Sequence, residues 1–174
     1  MARVRLRRWR LDDAANVAVM IDDEWLRPWS KMGDDLEAWI RGEIAEERGP
    51  TRAICLADDD RAIGRVAVRP PELASEAVRC QAVRDSDWPA GELSYWLVPG
   101  ARGRGLAYAA VRLMIDTVVV DTGLRSVVLD IEAGNVPSMR LAERLGAERR
   151  SPVRVEIDRV GTSRTLVVYV LRNG

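Results

Sequence analysis

A basic, glycine-rich turn between a strand and a helix constrains the fold most. Apolar alternation predicts a strand over residues 92–98, and apolar side chains at helical spacing predict a helix from 105 to about 121. The intervening sequence is Arg102-Gly103-Arg104-Gly105-Leu106-Ala107. Its glycines permit a tight turn, and the first N–H groups of the helix lack intrahelical partners. We predict that a pyrophosphate binds these N–H groups and that Arg102 and Arg104 add cationic donors.

The spacing of this turn excludes two commoner phosphate loops. No lysine follows Gly105, so the G-x-x-x-x-G-K-[ST] pattern is absent, and Tyr108 stands where G-x-G-x-x-G needs its third glycine. A Gly-Arg-Gly sequence before a helix also fits an ordinary charged turn. The order strand, Pro99-Gly100, basic turn, long helix, strand and second capped helix favours phosphate binding.

The remaining pattern predicts one α/β domain over residues 1–174, with a mixed sheet and helices on both of its faces. The predicted order is β-α-α-β-β-β-α-β-α-β-β. Before the basic turn, the pattern predicts an edge strand with Val4 and Leu6 on one face, a helix from Asp12 or Asp13 to near Pro28, a helix from Asp34 or Asp35 through Arg48, and strands 51–57 and 62–68. A long loop or short helix is predicted over about 70–91. After the helix that follows the turn, the pattern predicts a strand over 126–132, a helix from Val136 or Pro137 to Leu145 capped by Asn135, and β-rich segments 153–160 and 165–171 around a turn at Gly161.

Composition narrows the function classes. The chain has no histidine, so a Ser-His-Asp triad, a Cys-His dyad and sites with imidazole ligands are excluded. Cys55 and Cys80 cannot form a Cys₄ metal site, and two free thiols are favoured over a disulfide. With 27 basic and 27 acidic residues and no long apolar run, we expect no nucleic acid, membrane or metal partner and a cytoplasmic location.

The segment 102–107 matches the R-x-x-G-x-A signature, and the chain therefore resembles the GNAT superfamily of N-acetyltransferases. The preceding residues 92–99 resemble the family's strand before that signature, and Asn135-Val136-Pro137-Ser138 resembles the start of its second helix. Leu6-Arg7-Arg8-Trp9, Asp12-Asp13-Ala14 and Ser138 resemble the RimJ/RimL-like branch, which acetylates N-terminal amines of ribosomal proteins. The resemblance implies acetyl-CoA as co-substrate and a V-shaped opening in the sheet, between the Glu92 strand and the Ser126 strand.

The resemblance also implies roles for individual residues. A backbone N–H of Trp96 or Leu97 would polarise the thioester carbonyl, and the pantetheine arm would lie beside Val98. Ser138 would assist the leaving thiolate, because Ala142 stands where many members have a tyrosine. Glu92 would accept the proton of the amine. The full predicted set is Glu92, Trp96 and Ser138 for catalysis, and Leu97, Val98, Arg102, Gly103, Arg104, Gly105, Leu106, Ala107 and Asn135 for binding.

Several alternatives stay open. Ser138 and Asn135 also fit helix-capping roles, and Glu92 also fits a surface position at the start of a strand. The acceptor is predicted to be a protein N-terminal α-amine, with a small-molecule amine as the alternative enzyme substrate and a non-catalytic acyl-CoA-binding module as the alternative function. A homodimer is compatible with the sequence. An acidic stretch that includes three tryptophans suits a cationic acceptor or a solvated helical hairpin: Asp22, Asp23, Glu24, Trp25, Trp29, Asp34, Asp35, Glu37 and Trp39.

Overall fold

The computed structural model describes residues 4–74, 89–150 and 153–172. The predicted loop or short helix over residues 70–91 lies largely outside these residues, and so does Cys80. In the described part of the chain, eight strands form a mixed sheet flanked by helices, which confirms the predicted fold class. The strand order is β1-β2-β3-β4-β5-β8-β6, and β7 also pairs β8. The strands are β1 Val4–Arg7, β2 Thr51–Leu56, β3 Asp59–Arg69, β4 Ala90–Leu97, β5 Ser126–Glu132, β6 Glu148–Arg149, β7 Arg154–Ile157 and β8 Ser163–Arg172.

The described residues fall into two compact units. The described residues within Met1–Ala67 and Tyr95–Thr117 form the first unit, and those within Val68–Ser94 and Val118–Gly174 form the second. The α-helices among the described residues are α1 Asp13–Val17, α2 Leu36–Ala45, α3 Leu106–Met114 and α4 Val136–Arg144. The first three lie in the first unit and α4 lies in the second.

The first unit is built on the antiparallel strands β1, β2 and β3. Strand β1 is at the edge of the sheet, as its short alternating pattern predicts. The core of this unit groups apolar side chains from α1, α2, β2, β3 and the segment that follows β1: Trp9, Val17, Ile40, Ala53, Cys55 and Ala62. Cys55 is a free thiol, and burial raises its pKa.

Buried polar groups in the first unit are connected to one another. The indole N–H of Trp9 donates to Thr51 Oγ1 at 3.2 Å, and the Thr51 hydroxyl donates to Glu43 Oε2 at 2.5 Å. Arg65 Nε donates to the same Glu43 oxygen at 2.6 Å. Glu43 of α2 thus accepts hydrogen bonds from Thr51 of β2 and Arg65 of β3, and this network connects the helix to both strands. Each of these buried polar groups has a partner, as buried polar groups in folded proteins generally do.

The first predicted helix is shorter than its apolar spacing suggests. Helix α1 ends at Val17, a 3₁₀ turn follows over Ala18–Met20, and the prediction that the helix reaches Pro28 is wrong. The carboxylate of Asp23 accepts the N–H groups of Trp25 and Leu26, each at 3.2 Å. These local bonds replace helical ones.

The helix after the basic turn is also less regular than predicted. It is α-helical to Met114, continues as a π-helix over Ile115–Val119 and ends in a 3₁₀ turn over Val120–Thr122. The change begins where β-branched residues accumulate, and Thr117 Oγ1 donates back to the Leu113 carbonyl at 2.6 Å. Both features weaken regular α-helical bonding.

The second unit is built on the central strand β5. Its start pairs in parallel with β4, and its whole length pairs antiparallel with β8. The edge of β8 opposite β5 pairs β6 and β7, of which β6 was not predicted. The predicted turn at Gly161 is confirmed, with φ of 84° at that glycine. Ala74, Ala90, Val128, Val168 and Val170 form one buried cluster in this unit.

Candidate active site

The turn between β4 and α3 has the backbone conformation that its glycines predict. A 3₁₀ turn at Pro99–Ala101 ends β4, and Gly103 and Gly105 then adopt left-handed φ values of 73° and 74°. Apart from the chain neighbours, no atom of a described residue lies within 4 Å of the position that a Cβ would occupy at either glycine. Residues 102–105 are exposed, whereas Leu106 is buried and anchors the start of the helix.

This turn presents a run of backbone donors. Within the part of the chain that the structure describes, the N–H groups of residues 103–107 donate to no protein acceptor. The next helical bond runs from the Ala109 N–H to the Gly105 carbonyl, at 3.2 Å. The helix dipole places partial positive charge at the same point. These five consecutive donors begin on exposed residues and lie at a helix N-terminus, where they are suited to a phosphate or pyrophosphate.

The guanidinium of Arg102 is bound within the protein. Its Nε donates to the Leu97 carbonyl at 3.0 Å, and its Nη2 donates to Asp23 Oδ2 at 2.5 Å. The side chain of Asp23 is 7% exposed and that of Arg102 is 40% exposed. Arg102 therefore joins the turn at residues 23–26 to the end of β4, and its predicted role as a phosphate donor stays a prediction.

Arg104 contrasts with Arg102. It is exposed, and its side chain forms no hydrogen bond or ion pair with any described residue. Of the two predicted cationic donors, Arg104 is the one whose guanidinium is available to an anion beside the N–H groups of residues 103–107.

The end of β4 approaches β3 closely. A Cβ at Gly64 of β3 would lie 2.3 Å from the Trp96 carbonyl oxygen and 3.2 Å from Leu97 Cα, so this position requires glycine. The Val98 N–H donates to the Ile63 carbonyl at 2.9 Å. Because successive N–H groups of a strand point to opposite edges, the Leu97 N–H points away from β3. The backbone N–H groups of Trp96 and Leu97 are the two groups predicted to polarise the thioester carbonyl. Of these, the N–H of Leu97 is thus the one that points away from β3.

The side chain of Trp96 belongs to an aromatic cluster in the first unit. Its ring centroid lies 6.3 Å from that of Trp9 and 6.2 Å from that of Trp39, and the Trp9 and Trp39 rings meet edge to face at 5.5 Å. Trp96 and Trp39 pack against the core as partly buried residues. The ring of Trp96 therefore has a packing role, and any catalytic part falls to its backbone.

Glu92 lies in the second unit, on the part of β4 that pairs β5. Both of its carboxylate oxygens accept from Arg69 Nη1, at 3.1 and 3.0 Å, and its side chain is 19% exposed. The β4–β5 register extends from the pair Ala90–Ser126 to the pair Glu92–Val128. Arg69 therefore holds Glu92 at the last position where β4 pairs with β5. Beyond Glu92, β4 continues to Leu97 without further pairing to β5 among the described residues.

The start of α4 has the predicted cap. Asn135 Oδ1 accepts the Ser138 N–H at 3.3 Å, and Pro137 lies in the first turn. Ser138 is half-buried, and Ala142, one turn further on, is fully buried. Asn135 thus caps the helix, and Ser138 carries its hydroxyl on the first turn.

The acidic stretch between α1 and α2 is largely used by the fold. Asp23 binds Arg102, and Asp35 caps α2 by accepting the Ala38 N–H at 2.9 Å. Trp39 packs inward against the core. The hairpin alternative explains these three residues, although Asp22 and Glu24 remain exposed.

The predicted residues fall in both units: residues 96–107 in the first, and Glu92, Asn135 and Ser138 in the second. Sequence reasoning missed Arg69 and Gly64, and it placed Asp23 in the acidic stretch without predicting its pairing with Arg102. Nothing in the local pattern singles out Arg69 or the partner of Asp23. An isolated glycine within a predicted strand was a usable signal for the close backbone approach at Gly64.

A protein-family model matches most of the chain. Residues 3–148 match the family model described as the acetyltransferase (GNAT) domain. The chain belongs to the GNAT acetyltransferase family. This membership makes it an acyltransferase that uses acetyl-CoA as its co-substrate, as the signature at residues 102–107 predicts. A search of curated proteins found no match.

Solved structures share the GNAT fold at low sequence identity. An acetyltransferase of the GNAT family from Bacillus anthracis is 14% identical with a TM-score of 0.77, covering 99% of this chain and 96% of that one. The aminoglycoside acetyltransferase AAC(6')-Ib in complex with coenzyme A is 18% identical with a TM-score of 0.72, covering 98% and 95%. RimJ from Mycobacterium smegmatis in complex with CoA-disulfide is 19% identical with a TM-score of 0.69, covering 97% and 81%.

Among the described residues, no group of three or more Cys, Asp or Glu side chains is arranged to hold a metal ion. None of the helices in the same residues is long and apolar enough to span a membrane.

Proposed function

We propose that this chain transfers the acetyl group of acetyl-CoA to a primary amine by direct attack, and that the acceptor is a protein N-terminal α-amine, as in the RimJ/RimL-like branch. The single observation that carries the proposal is the run of N–H groups at residues 103–107, at the start of α3, which donate to no acceptor among the described residues. Bound acetyl-CoA supplies the reactive thioester. We further propose that the protein acts as one domain in the cytoplasm.

The donor is bound mainly through the backbone. The pyrophosphate would accept from the N–H groups of residues 103–107, and the exposed guanidinium of Arg104 would add charge. The open space at Gly103 and Gly105 fits this group, because no side chain of a described residue occupies it. Val98 and Asn135 would contact the pantetheine arm, and Asn135 can do so with its amide nitrogen while Oδ1 caps α4.

Carbonyl polarisation would come from the Leu97 N–H, which points away from β3. An oriented backbone donor lowers such a barrier by about 3 kcal/mol. Ser138 would donate a hydrogen bond to the leaving thiolate. A serine hydroxyl is too weak an acid to ionise here, so it stabilises the charge or relays a proton.

The state of Glu92 favours an α-amine as acceptor. Its carboxylate is already bound by Arg69, so accepting a proton from the amine would compete with that ion pair. Neutralising an α-amine at pH 7 costs about 1 kcal/mol, whereas neutralising a lysine costs about 4.6 kcal/mol. An α-amine is already partly neutral at pH 7, so Glu92 would have to remove less of its proton population than it would for a lysine side chain.

A thiol-release assay with matched acceptors tests the proposal. One peptide carries a free α-amine and no lysine, a second is blocked at its N-terminus and carries one lysine, and an aminoglycoside and a polyamine complete the panel. We expect turnover mainly with the first peptide. Turnover with the small amines alone would move the chain to the small-molecule alternative. Coenzyme A binding without turnover on peptides or small amines would indicate a binding module.

A further inference from the structure

The guanidinium of Arg69 contacts Glu92 through a single nitrogen atom. Both hydrogen bonds to the Glu92 carboxylate come from Nη1, at 3.1 and 3.0 Å. Among the described residues, no acceptor receives a hydrogen bond from Nε or Nη2 of Arg69. The side chain of Arg69 is 35% exposed, whereas that of Glu92 is 19% exposed. The Nε and Nη2 donors of Arg69 are therefore available to a ligand that lies beside Glu92.

The backbone that carries Arg69 is fixed by its neighbours. Strand β3 ends at Arg69, close to β4. A Cβ at Gly91 of β4 would lie 2.7 Å from Val68 Cγ1 and 3.3 Å from the Arg69 carbonyl oxygen, so the two strands approach closely at this point. Pro70 follows with a restricted φ, and its carbonyl accepts the Ala74 N–H at 2.8 Å. The guanidinium of Arg69 thus extends from a well-defined position at the end of β3.

The pair of Glu92 and Arg69 lies on the sheet face opposite α4. Glu92 pairs with Val128 of β5, whereas Tyr169 pairs with the next residue of that strand, so the side chains of Glu92 and Tyr169 lie on opposite faces. The Tyr169 hydroxyl donates to Glu143 of α4 at 3.0 Å, which places the helix on the face of Tyr169. The proposed function places the leaving thiolate beside α4. The face of Glu92 and Arg69 is then left for the acceptor.

We propose that Arg69 binds the carbonyl oxygen next to the acceptor's α-amine, so that the site selects an amine with an adjacent peptide carbonyl. This inference rests on the proposed function and defines its acceptor class. In an N-terminal residue, the carbonyl oxygen is three covalent bonds from the amine nitrogen and lies within about 3.6 Å of it. An amine at hydrogen-bond distance from the Glu92 carboxylate therefore brings its carbonyl to the open donors of the guanidinium that holds this carboxylate.

The same geometry distinguishes an N-terminal α-amine from other amines. A lysine ε-amine is followed by four methylene groups, and these offer no acceptor to the guanidinium donors. A polyamine likewise has methylene groups next to each amine. A free amino acid has a carboxylate, which would place a second negative charge beside Glu92, although Glu92 already neutralises Arg69. A neutral peptide carbonyl uses the open donors without this repulsion, so the site favours a peptide.

A double-mutant cycle between Arg69 and the acceptor tests the contact. One acceptor is a lysine-free peptide with a free α-amine, and the other is the same peptide with its first carbonyl oxygen replaced by sulfur, a weaker hydrogen-bond acceptor. Arg69→Lys keeps a cation beside Glu92 but removes the second edge of donors. We expect the sulfur replacement to lower kcat/KM about tenfold in wild type and less than about twofold in Arg69→Lys.

Arg112→Lys is the matched control for this cycle. Arg112 is also a partly exposed arginine that pairs with a carboxylate, that of Asp116, and it lies outside the proposed site. The control should keep the wild-type rates and the wild-type ratio between the two peptides. If Arg69 only holds Glu92 in place, Arg69→Lys lowers kcat for both peptides by the same factor. An unchanged ratio of this kind would overturn the proposal, and so would a wild type that uses both peptides equally.

Calorimetric binding of the two peptides to the protein saturated with coenzyme A gives a readout that does not need turnover. We expect the same tenfold preference in wild type and its loss in Arg69→Lys, which is about the effect of one hydrogen bond from a charged donor. Thermal melts of Arg69→Lys and wild type show whether the variant folds, and the comparison of the two peptides on wild type does not depend on the variant.

Small acceptors separate the possible sources of the carbonyl. Alanine methylamide presents an amide carbonyl, and free alanine presents a carboxylate. We expect the methylamide to bind more tightly, and tighter binding of alanine would overturn the assignment to peptides. Turnover only on amines without an adjacent carbonyl, such as a polyamine, would refute the proposed function together with this inference. Peptide turnover whose ratio is unaffected by Arg69→Lys would refute the role of Arg69 alone.

Discussion

Replacing Asp23 by asparagine isolates the contact that joins Arg102 to the turn at residues 23–26. In the protein, Asp23 Oδ1 accepts the N–H groups of Trp25 and Leu26, and Oδ2 accepts from Arg102. Asparagine keeps the first oxygen and replaces the second by an NH₂ group. That group cannot accept from a guanidinium, so the local turn is retained and the ion pair is lost.

The expected cost follows from the burial of the two partners. Breaking a fully buried ion pair costs about 3–5 kcal/mol, and breaking an exposed one costs about 0–1 kcal/mol. Asp23 is 7% exposed but Arg102 is 40% exposed, and solvent can therefore hydrate the released guanidinium. We expect a loss of about 1–2 kcal/mol, which lowers Tm by about 2–8 °C for a chain of this size.

Thermal melts of Asp23→Asn, Arg102→Gln and the double variant form a double-mutant cycle. The double variant should lose little more stability than Asp23→Asn, giving a coupling of about 1 kcal/mol. Glu37→Gln is the control, because its pair with Arg41 is exposed on both sides and should contribute under about 0.5 kcal/mol. Affinity for coenzyme A should stay near that of wild type in Asp23→Asn, since the N–H groups of residues 103–107 are unchanged.

Two results would refute this reasoning. Additive losses in the cycle would mean that Asp23 and Arg102 act independently. A large loss of coenzyme A affinity in Arg102→Gln, with none in Asp23→Asn, would mean that the guanidinium of Arg102 leaves Asp23 to bind the phosphates.

Four further variants test the proposed site. Gly105→Val, at φ of 74°, should weaken coenzyme A binding by calorimetry more than tenfold, because strain of about 1–2 kcal/mol adds to a side chain in the phosphate space; unchanged affinity would argue against that placement. Arg104→Gln should weaken the same binding about two- to fivefold, as loss of an exposed charge does, and a larger loss in Arg102→Gln would reverse their assignment. Glu92→Gln should lower kcat most at low pH and recover as pH rises and neutral amine accumulates; a loss equal at all pH values would contradict a role as base. Ser138→Ala should lower kcat by up to about 10²-fold with acetyl-CoA affinity intact, whereas a purely structural serine would show normal kcat per folded molecule.

The local elements were predictable because their causes are local. The turn at residues 102–107 follows from glycines that can adopt positive φ ahead of an amphipathic helix, and the predicted N-cap at Asn135 is confirmed by its bond to the Ser138 N–H. The bounds of β5 agree with the alternation at Ser126–Glu132. Predictions weakened where side chains compete with helical bonding, as Asp23 and Thr117 do.

The amino-acid sequence by itself determined the glycine-rich turn at residues 102–107, the family and the mixed sheet. Only the tertiary structure decided that Glu92 is held by Arg69 and that Arg102 is held by Asp23, partners that are 23 and 79 residues apart. A chain with 27 basic and 27 acidic residues offers very many opposite-charge pairs, and local pattern does not rank them. Burial decides which of these pairs form, because a carboxylate that is removed from water requires a specific partner. Which carboxylates are buried depends in turn on how distant strands and turns pack.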